Sequence, residues 1–246
     1  MFLPPLLALF AWRRYAASAL FCAVAIAAVM LTGERVAFLV CTACLAAAAL
    51  FVPELRRWAR IVVPVTVVAL AALFYLKPAV YERQVASTIT TAANIADTHY
   101  GIIWASALKM AAARPIFGVG VRNYAKACLD PAFGPDVAAP GQPPRCANHP
   151  HNNYLEWLTE TGVIGLLLYC AAVVTILACL GGMVWRGGAS PVLFGIFFTL
   201  AIRFWPVQSN GSFYIAWSAI PMFLMIGWGL SYRTGGVIDA RPDAAT

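Results

Sequence analysis

Gly162 to Trp185 reads GVIGLLLYCAAVVTILACLGGMVW and contains no charged residue. Runs of roughly 17 to 25 apolar residues cross a bilayer as helices, so this stretch is expected to span a membrane. Worked outward, the same reading finds Pro191 to Trp205 and Ser212 to Leu230 after it, and Tyr15 to Leu31, Val36 to Val52 and Ile61 to Leu76 before it. Phe2 to Trp12 is apolar but too short to cross alone, and is read as the stub of a preceding helix rather than an interfacial segment. With 62% hydrophobic and 11% charged residues, the composition is far from that of a soluble domain. The expected fold is all-α: a polytopic helical membrane protein with six or seven transmembrane helices. No basic region precedes Phe2 and no small-residue cleavage site stands ahead of Arg13, so no signal peptide is expected.

The basic residues set the orientation. Arg13 and Arg14, the three arginines between Pro53 and Arg60, Arg186 and Arg233 fall on one side of an alternating set of spans, and short loops rich in Lys and Arg stay in the cytoplasm. The net charge of +7 is therefore largely a topology signal and needs no nucleic-acid partner. Four parts follow: N-terminal transmembrane helices over 1–76, a long periplasmic loop over 77–161, C-terminal transmembrane helices over 162–230, and a polar cytoplasmic tail over 231–246.

The long loop holds most of the polar chemistry. Lys77 to Thr98 is polar and of undecided structure. Ile102 to Ala113 carries Trp104, Leu108, Ala111 and Ala112 at helical spacing, which predicts a helix on the membrane surface. Pro115 ends it, and Pro115 to Gly120 predicts a tight turn. Leu129 to Pro144, interrupted by repeated prolines, is expected to be irregular. Cys22, Cys41, Cys44, Cys170 and Cys179 lie inside spans, where Cys behaves as a small apolar residue. Cys128 and Cys146 bracket the proline-rich excursion, and in an oxidising compartment they are expected to close it as a disulfide.

His151 stands where the loop returns to the membrane. With His151 placed at the start of a helix and 100° added per residue, Leu155, Leu158, Gly162 and Gly165 share its face. On this reading Gly162 and Gly165 are helix-packing residues that let a neighbouring helix approach closely. Glu156 and Glu160 point away and are read as solvated or headgroup-facing. A metal centre built from His149, His151, Cys146 and His99 fits no zinc spacing, so no metal and no cofactor is expected.

The stretch from Arg114 to Leu168 resembles the O-antigen ligase and polymerase superfamily. The resemblance rests on Pro115-Ile-Phe-Gly118-Val-Gly120, on His149-Pro150-His151-Asn152-Asn153-Tyr154-Leu155-Glu156 and on Glu160-Thr161-Gly162-Val163-Ile164-Gly165. Thr32-Gly33-Glu34-Arg35 is similar to the family's Ser-Gly-x-Arg turn. The resemblance implies a glycosyltransferase of the bacterial inner membrane, its site facing the periplasm. Such an enzyme transfers a glycan from undecaprenyl diphosphate to an acceptor hydroxyl such as lipid A core, with inversion and without metal. It also implies that His151 is the catalytic histidine and that Arg35 binds the donor diphosphate, a role suited to a guanidinium fork.

Two departures qualify this. The family's second arginine falls at Tyr100, preceded by His99, so either His99 or Tyr100 takes over the phosphate contact or Arg114, Arg122 or Arg203 swings in. The preferred reading of Arg203 itself is a side chain snorkelling to the outer interface. The family also typically carries about twelve spans, so the chain is expected to lack an N-terminal part. The alternatives kept are a polymerase or protein O-oligosaccharyltransferase of the same superfamily, a non-catalytic remnant of the fold, and an unrelated transporter, which would place its polar residues at mid-bilayer.

Overall fold

A computed structural model describes residues 3–11, 74–87, 98–133, 146–186, 190–207 and 210–234, together with isolated positions between 13 and 96. Every regular element among them is helical and none is a strand. The expected spans Tyr15 to Leu31, Val36 to Val52 and Ile61 to Leu76 fall largely outside the described residues, as does Arg35. The helices are α1 (Leu3–Ala11), α2 (Pro78–Tyr81), α3 (His99–Ala113), α4 (Tyr124–Cys128), α5 (Asn153–Arg186), α6 (Pro191–Arg203) and α7 (Ala216–Ser231). A π-helical turn, Glu82–Ala86, continues α2. Of the proline-rich excursion Leu129 to Phe133 are described, ending in a 3-10 turn, Pro131–Phe133.

The uncharged run Gly162 to Trp185 forms most of α5, the one helix among the described residues long and apolar enough to cross a membrane; α6 and α7 are shorter apolar helices. In hydrocarbon a backbone must satisfy its own polar groups, which a helix does. α5 is not straight. Gly162 has φ 69° and ψ −168°, outside the helical region, and divides α5 into a short arm, residues 153–161, and a long arm, residues 163–186. In a straight helix Tyr154 and Tyr169 would stand about 22 Å apart along the axis, yet their rings meet at 5.2 Å. Trp157 stacks on Tyr169 at 5.3 Å. The short arm therefore bends back on the long one. The long arm extends about 36 Å at 1.5 Å per residue, enough for a bilayer core.

The residues form two compact units, Met1–Ala93 with Gly182–Thr199 and Trp228–Thr246, and Asn94–Gly181 with Leu200–Gly227. In the first, α1 buries Leu6, Leu7 and Ala8. A Cβ on Gly195 of α6 would come within 2.9 Å of Leu7 Cδ1 and 3.3 Å of the Pro4 Cα, so here a small residue does admit a neighbouring helix. Trp185 and Phe197 meet edge to face at 5.2 Å.

The second unit has its own core, where Ile103, Ala107 and Met110 of α3 pack with Tyr124 and Cys128 of α4. Trp104, Cys146 and Leu155 close over it. The buried face of α3 is Ile103, Ser106, Ala107, Met110 and Ala111. Leu108 and Ala112 are exposed.

Candidate functional site

The turn from Pro115 to Gly120 and the bend in α5 are one construction. A break in a helix leaves carbonyls and N–H groups without partners on its two sides. The turn supplies them: Val119 N–H donates to the Thr159 carbonyl and Gly120 N–H to the Glu160 carbonyl, both at 2.9 Å, while Val163 N–H donates to the Pro115 carbonyl at 2.8 Å. Gly118 and Gly162 both have positive φ. A Cβ on Gly118 would lie 2.5 Å from the Thr159 oxygen, and one on Gly162 would overlap the Ile116 carbonyl and lie 2.6 Å from Phe117 N. Gly162 thus meets a loop backbone, and a Cβ on Gly165 would overlap the Thr161 side chain of its own helix. For Gly162 this corrects the reading as a seat for a neighbouring helix.

Glu160 and Glu156 are each 2% exposed, which corrects the expectation that they face solvent or headgroups. Glu160 accepts the N–H groups of Arg122 at 2.5 Å and Tyr124 at 3.1 Å, through separate carboxylate oxygens. Glu156 accepts the Phe213 N–H at 2.7 Å and bonds the Ser212 side chain. Charge-assisted bonds to backbone donors make burial of a carboxylate tolerable. Their donors lie 36 to 57 positions away in sequence, so helical periodicity could not reveal them.

His151 precedes the helix instead of opening it. The cap of α5 is Asn152, whose Oδ1 accepts the N–H groups of Tyr154 at 3.0 Å and Leu155 at 3.1 Å, as an N-cap side chain does. The angular argument that put His151 on one face with Leu155 and Gly162 therefore does not apply. His151 has φ 54°, a left-handed conformation costing a non-glycine residue roughly 1 to 2 kcal/mol. Its flanks hold it there. Trp104 Nε1 donates to the Pro150 carbonyl at 3.0 Å, Asn210 N–H donates to the His151 carbonyl at 2.7 Å, and Asn152 Nδ2 donates to the Pro206 carbonyl at 2.6 Å.

All three histidines of the chain gather here. The His149 and His151 rings are 4.2 Å apart, Tyr100 meets His151 edge to face at 5.6 Å, and His99 and Tyr100 are 6.2 Å apart. The start of α3, capped by Thr98 Oγ1 accepting from Gly101 N–H at 3.2 Å, carries His99 and Tyr100 to this place. His149 Nε2 lies 3.3 Å from the Asn210 carbonyl. Among the described residues no group of three or more His, Cys, Asp or Glu is arranged to hold a metal ion. Burial pushes His151 down from 6.5 to about 4, with His149 and then His99 adding to the effect. Burial lowers His149 as well, opposed by its bond to Asn210. His151 is thus an uncharged acceptor at neutral pH.

The arginine candidates separate. Arg203, half-buried, donates from Nη2 to Ser218 Oγ at 2.6 Å, and its carbonyl accepts from Asn210 Nδ2 at 3.4 Å. Arg114 and Arg122 are exposed at the two ends of the glycine turn. Only His99 and Tyr100, of the five, stand in ring contact within the histidine cluster. Sequence reading missed Asn210 and Asn152. Asn152 carried a usable signal as an Asn just before an apolar helix, whereas Asn210, in a short turn, carried none.

Cys128 and Cys146 are joined as a disulfide, their Cα atoms 5.7 Å apart, which ties the end of α4 to the strand of chain that leads into His149. Closing a loop with a sequence separation of 18 is worth about 3 kcal/mol on the chain-entropy account. Replacing both cysteines by serine is expected to lower the thermal midpoint by several degrees. A variant as stable as the parent by fluorescence-monitored unfolding would show that the crosslink does not hold the segment.

The fold and this site define a helical membrane protein whose polar chemistry sits at the end of a span. The O-antigen ligase family model matches residues 20–170, which include the glycine turn, the disulfide and the His149–Asn152 segment, and the chain belongs to that family. Its members are membrane proteins that transfer glycans from lipid-linked donors to acceptors. Arg203 and Asn210 lie beyond the matched residues. No curated protein and no solved structure matches the chain.

Proposed function

We propose that this chain transfers a glycan from undecaprenyl diphosphate to an acceptor hydroxyl such as that of lipid A core, at the periplasmic face of the bacterial inner membrane. The observation that carries the reading is His151, an uncharged imidazole fixed in a left-handed backbone by bonds on both flanks. Residues held in such conformations cluster at functional sites. The acceptor oxygen forms its bond to the anomeric carbon as the bond to the diphosphate oxygen breaks. Inversion follows from attack opposite the leaving group, which departs with the electron pair while the hydroxyl proton passes to His151. Arg35 is assigned to the donor diphosphate, and Tyr100 with His99 to the phosphate contact that the family's second arginine would make. An anion brought beside His151 favours its protonated form, so the donor strengthens the base that the burial of the free site weakens.

The pH dependence tests this reading. With the free imidazole at about 4, kcat/KM is expected to hold level from neutral pH down to about pH 5 and to fall below that. The acid limb of kcat, which reports the donor-bound site, should lie at higher pH. Stability runs the same way. The unfolded chain binds a proton at His151 from its ordinary 6.5 downward while the folded chain does not until about 4, so stability from this group is lost as pH falls through that window. An acid limb in kcat/KM near 6.5 that vanishes in His151→Asn would contradict the burial argument and leave the catalytic assignment standing. The same limb unchanged in His151→Asn would remove the assignment.

A further inference from the structure

The turn that fills the bend of α5 has a second face. Phe117 is 76% exposed, Ile116 54% and Val121 54%, an apolar tip on a loop bonded to α5 through Pro115, Val119 and Gly120. Arg114 and Arg122, both exposed, flank it. The root of the turn is bonded to Val163, the first residue of the long arm, and the Ile116 carbonyl and Phe117 N meet Gly162. The tip therefore stands at the level where the spanning segment enters the bilayer.

An exposed Phe and Ile at that height, with a cation on each side, match the interface chemically: apolar side chains belong below the headgroups and guanidinium groups among the phosphates. We infer that the Pro115–Arg122 turn is a membrane-docking finger that seats Ile116, Phe117 and Val121 among the acyl chains of the bordering leaflet, with Arg114 and Arg122 on anionic headgroups. Its occupant is the bulk bilayer. Because the finger is bonded to Thr159, Glu160 and Val163, it fixes the height of the short arm, and so of the residues that follow His151, above the membrane. This inference rests on the long arm being a span and not on the transfer reaction, so its failure leaves the transfer assay untouched.

The test places the photoreactive benzoylphenylalanine at Phe117 in the full chain, reconstituted in nanodiscs of phosphatidylethanolamine and phosphatidylglycerol. The same residue at Asp130, exposed two residues past the end of α4, is the control. Illumination is expected to give phospholipid adducts by mass spectrometry at position 117 severalfold above those at 130, and Arg114→Gln with Arg122→Gln should reduce the phosphatidylglycerol share. Equal yields at the two positions would overturn the inference. So would adducts to a second copy of the chain, or lipid adducts appearing only when an added prenyl diphosphate is present. Hydroxyl-radical footprinting of the unmodified protein gives an independent reading. Phe117 should be protected in nanodiscs relative to Val119, and labelling of Phe117 at the level of a freely exposed phenylalanine would overturn the inference even if the labelled variants fail to fold.

Discussion

Gly162→Ala is expected to destroy the site by unfolding the unit that carries it. The residue sits at φ 69° and ψ −168°, a region open essentially to glycine alone, where a Cβ costs on the order of 1 to 3 kcal/mol, and that Cβ would overlap the Ile116 carbonyl. Backbone cannot step aside as a flexible side chain can, and moving the turn also breaks the bonds from Val119, Gly120 and Val163. The combined loss should exceed about 4 kcal/mol, the range reserved for strained or overpacked positions. Gly165→Ala makes an informative contrast. Its Cβ would overlap the Thr161 Cβ, an atom no rotamer change moves, so it too is expected to lose stability, but through a clash within α5 that leaves the bonds from the turn in place. A Gly162→Ala protein with the parent's thermal midpoint and membrane level would mean that the bend is not needed.

The second large effect separates chemistry from folding at one position. Asn tolerates the left-handed region better than other non-glycine residues, so His151→Asn should be at least as stable as the parent while losing its transfer. Proton handling by a positioned side chain contributes about 10²- to 10⁴-fold, and that is the expected drop in kcat. His149→Asn should fall less, because the bonds that fix the backbone at His151 come from Trp104 and Asn210. A drop of similar size at both positions would point to the cluster as a unit instead of to His151.

How much of this was legible in the sequence depended on how local the physics is. The uncharged run from Gly162 to Trp185 is the long arm almost to the residue, because membrane length and backbone satisfaction act on a contiguous segment. Pro115 as the end of α3 and the glycine turn after it were equally local. Gly162 was read as a packing glycine because a small residue in an apolar helix has two physical uses, close approach and positive φ, and only the partner backbone of Ile116 and Phe117 decides between them. The buried carboxylates were misread for the same reason. Glu156 and Glu160 do point away from the His151 face of an ideal helix, yet the N–H groups of Phe213, Arg122 and Tyr124 wait there. His99 and Tyr100 were named only as substitutes for a missing arginine, and their ring contacts with the histidine cluster depend on α3 lying against the chain that leads into α5.

The central claim is that His151 handles the acceptor proton in transfer from a lipid diphosphate. Its most direct measurement is single-turnover transfer by the purified full chain in proteoliposomes loaded with a glycan on undecaprenyl diphosphate, with lipid A core as acceptor, comparing the parent with His151→Asn at equal folded protein. The account predicts that the parent forms the glycan–core product with release of the lipid diphosphate, and that the variant binds donor but forms product at least about a hundredfold more slowly. Transfer by His151→Asn at the parental rate would contradict it.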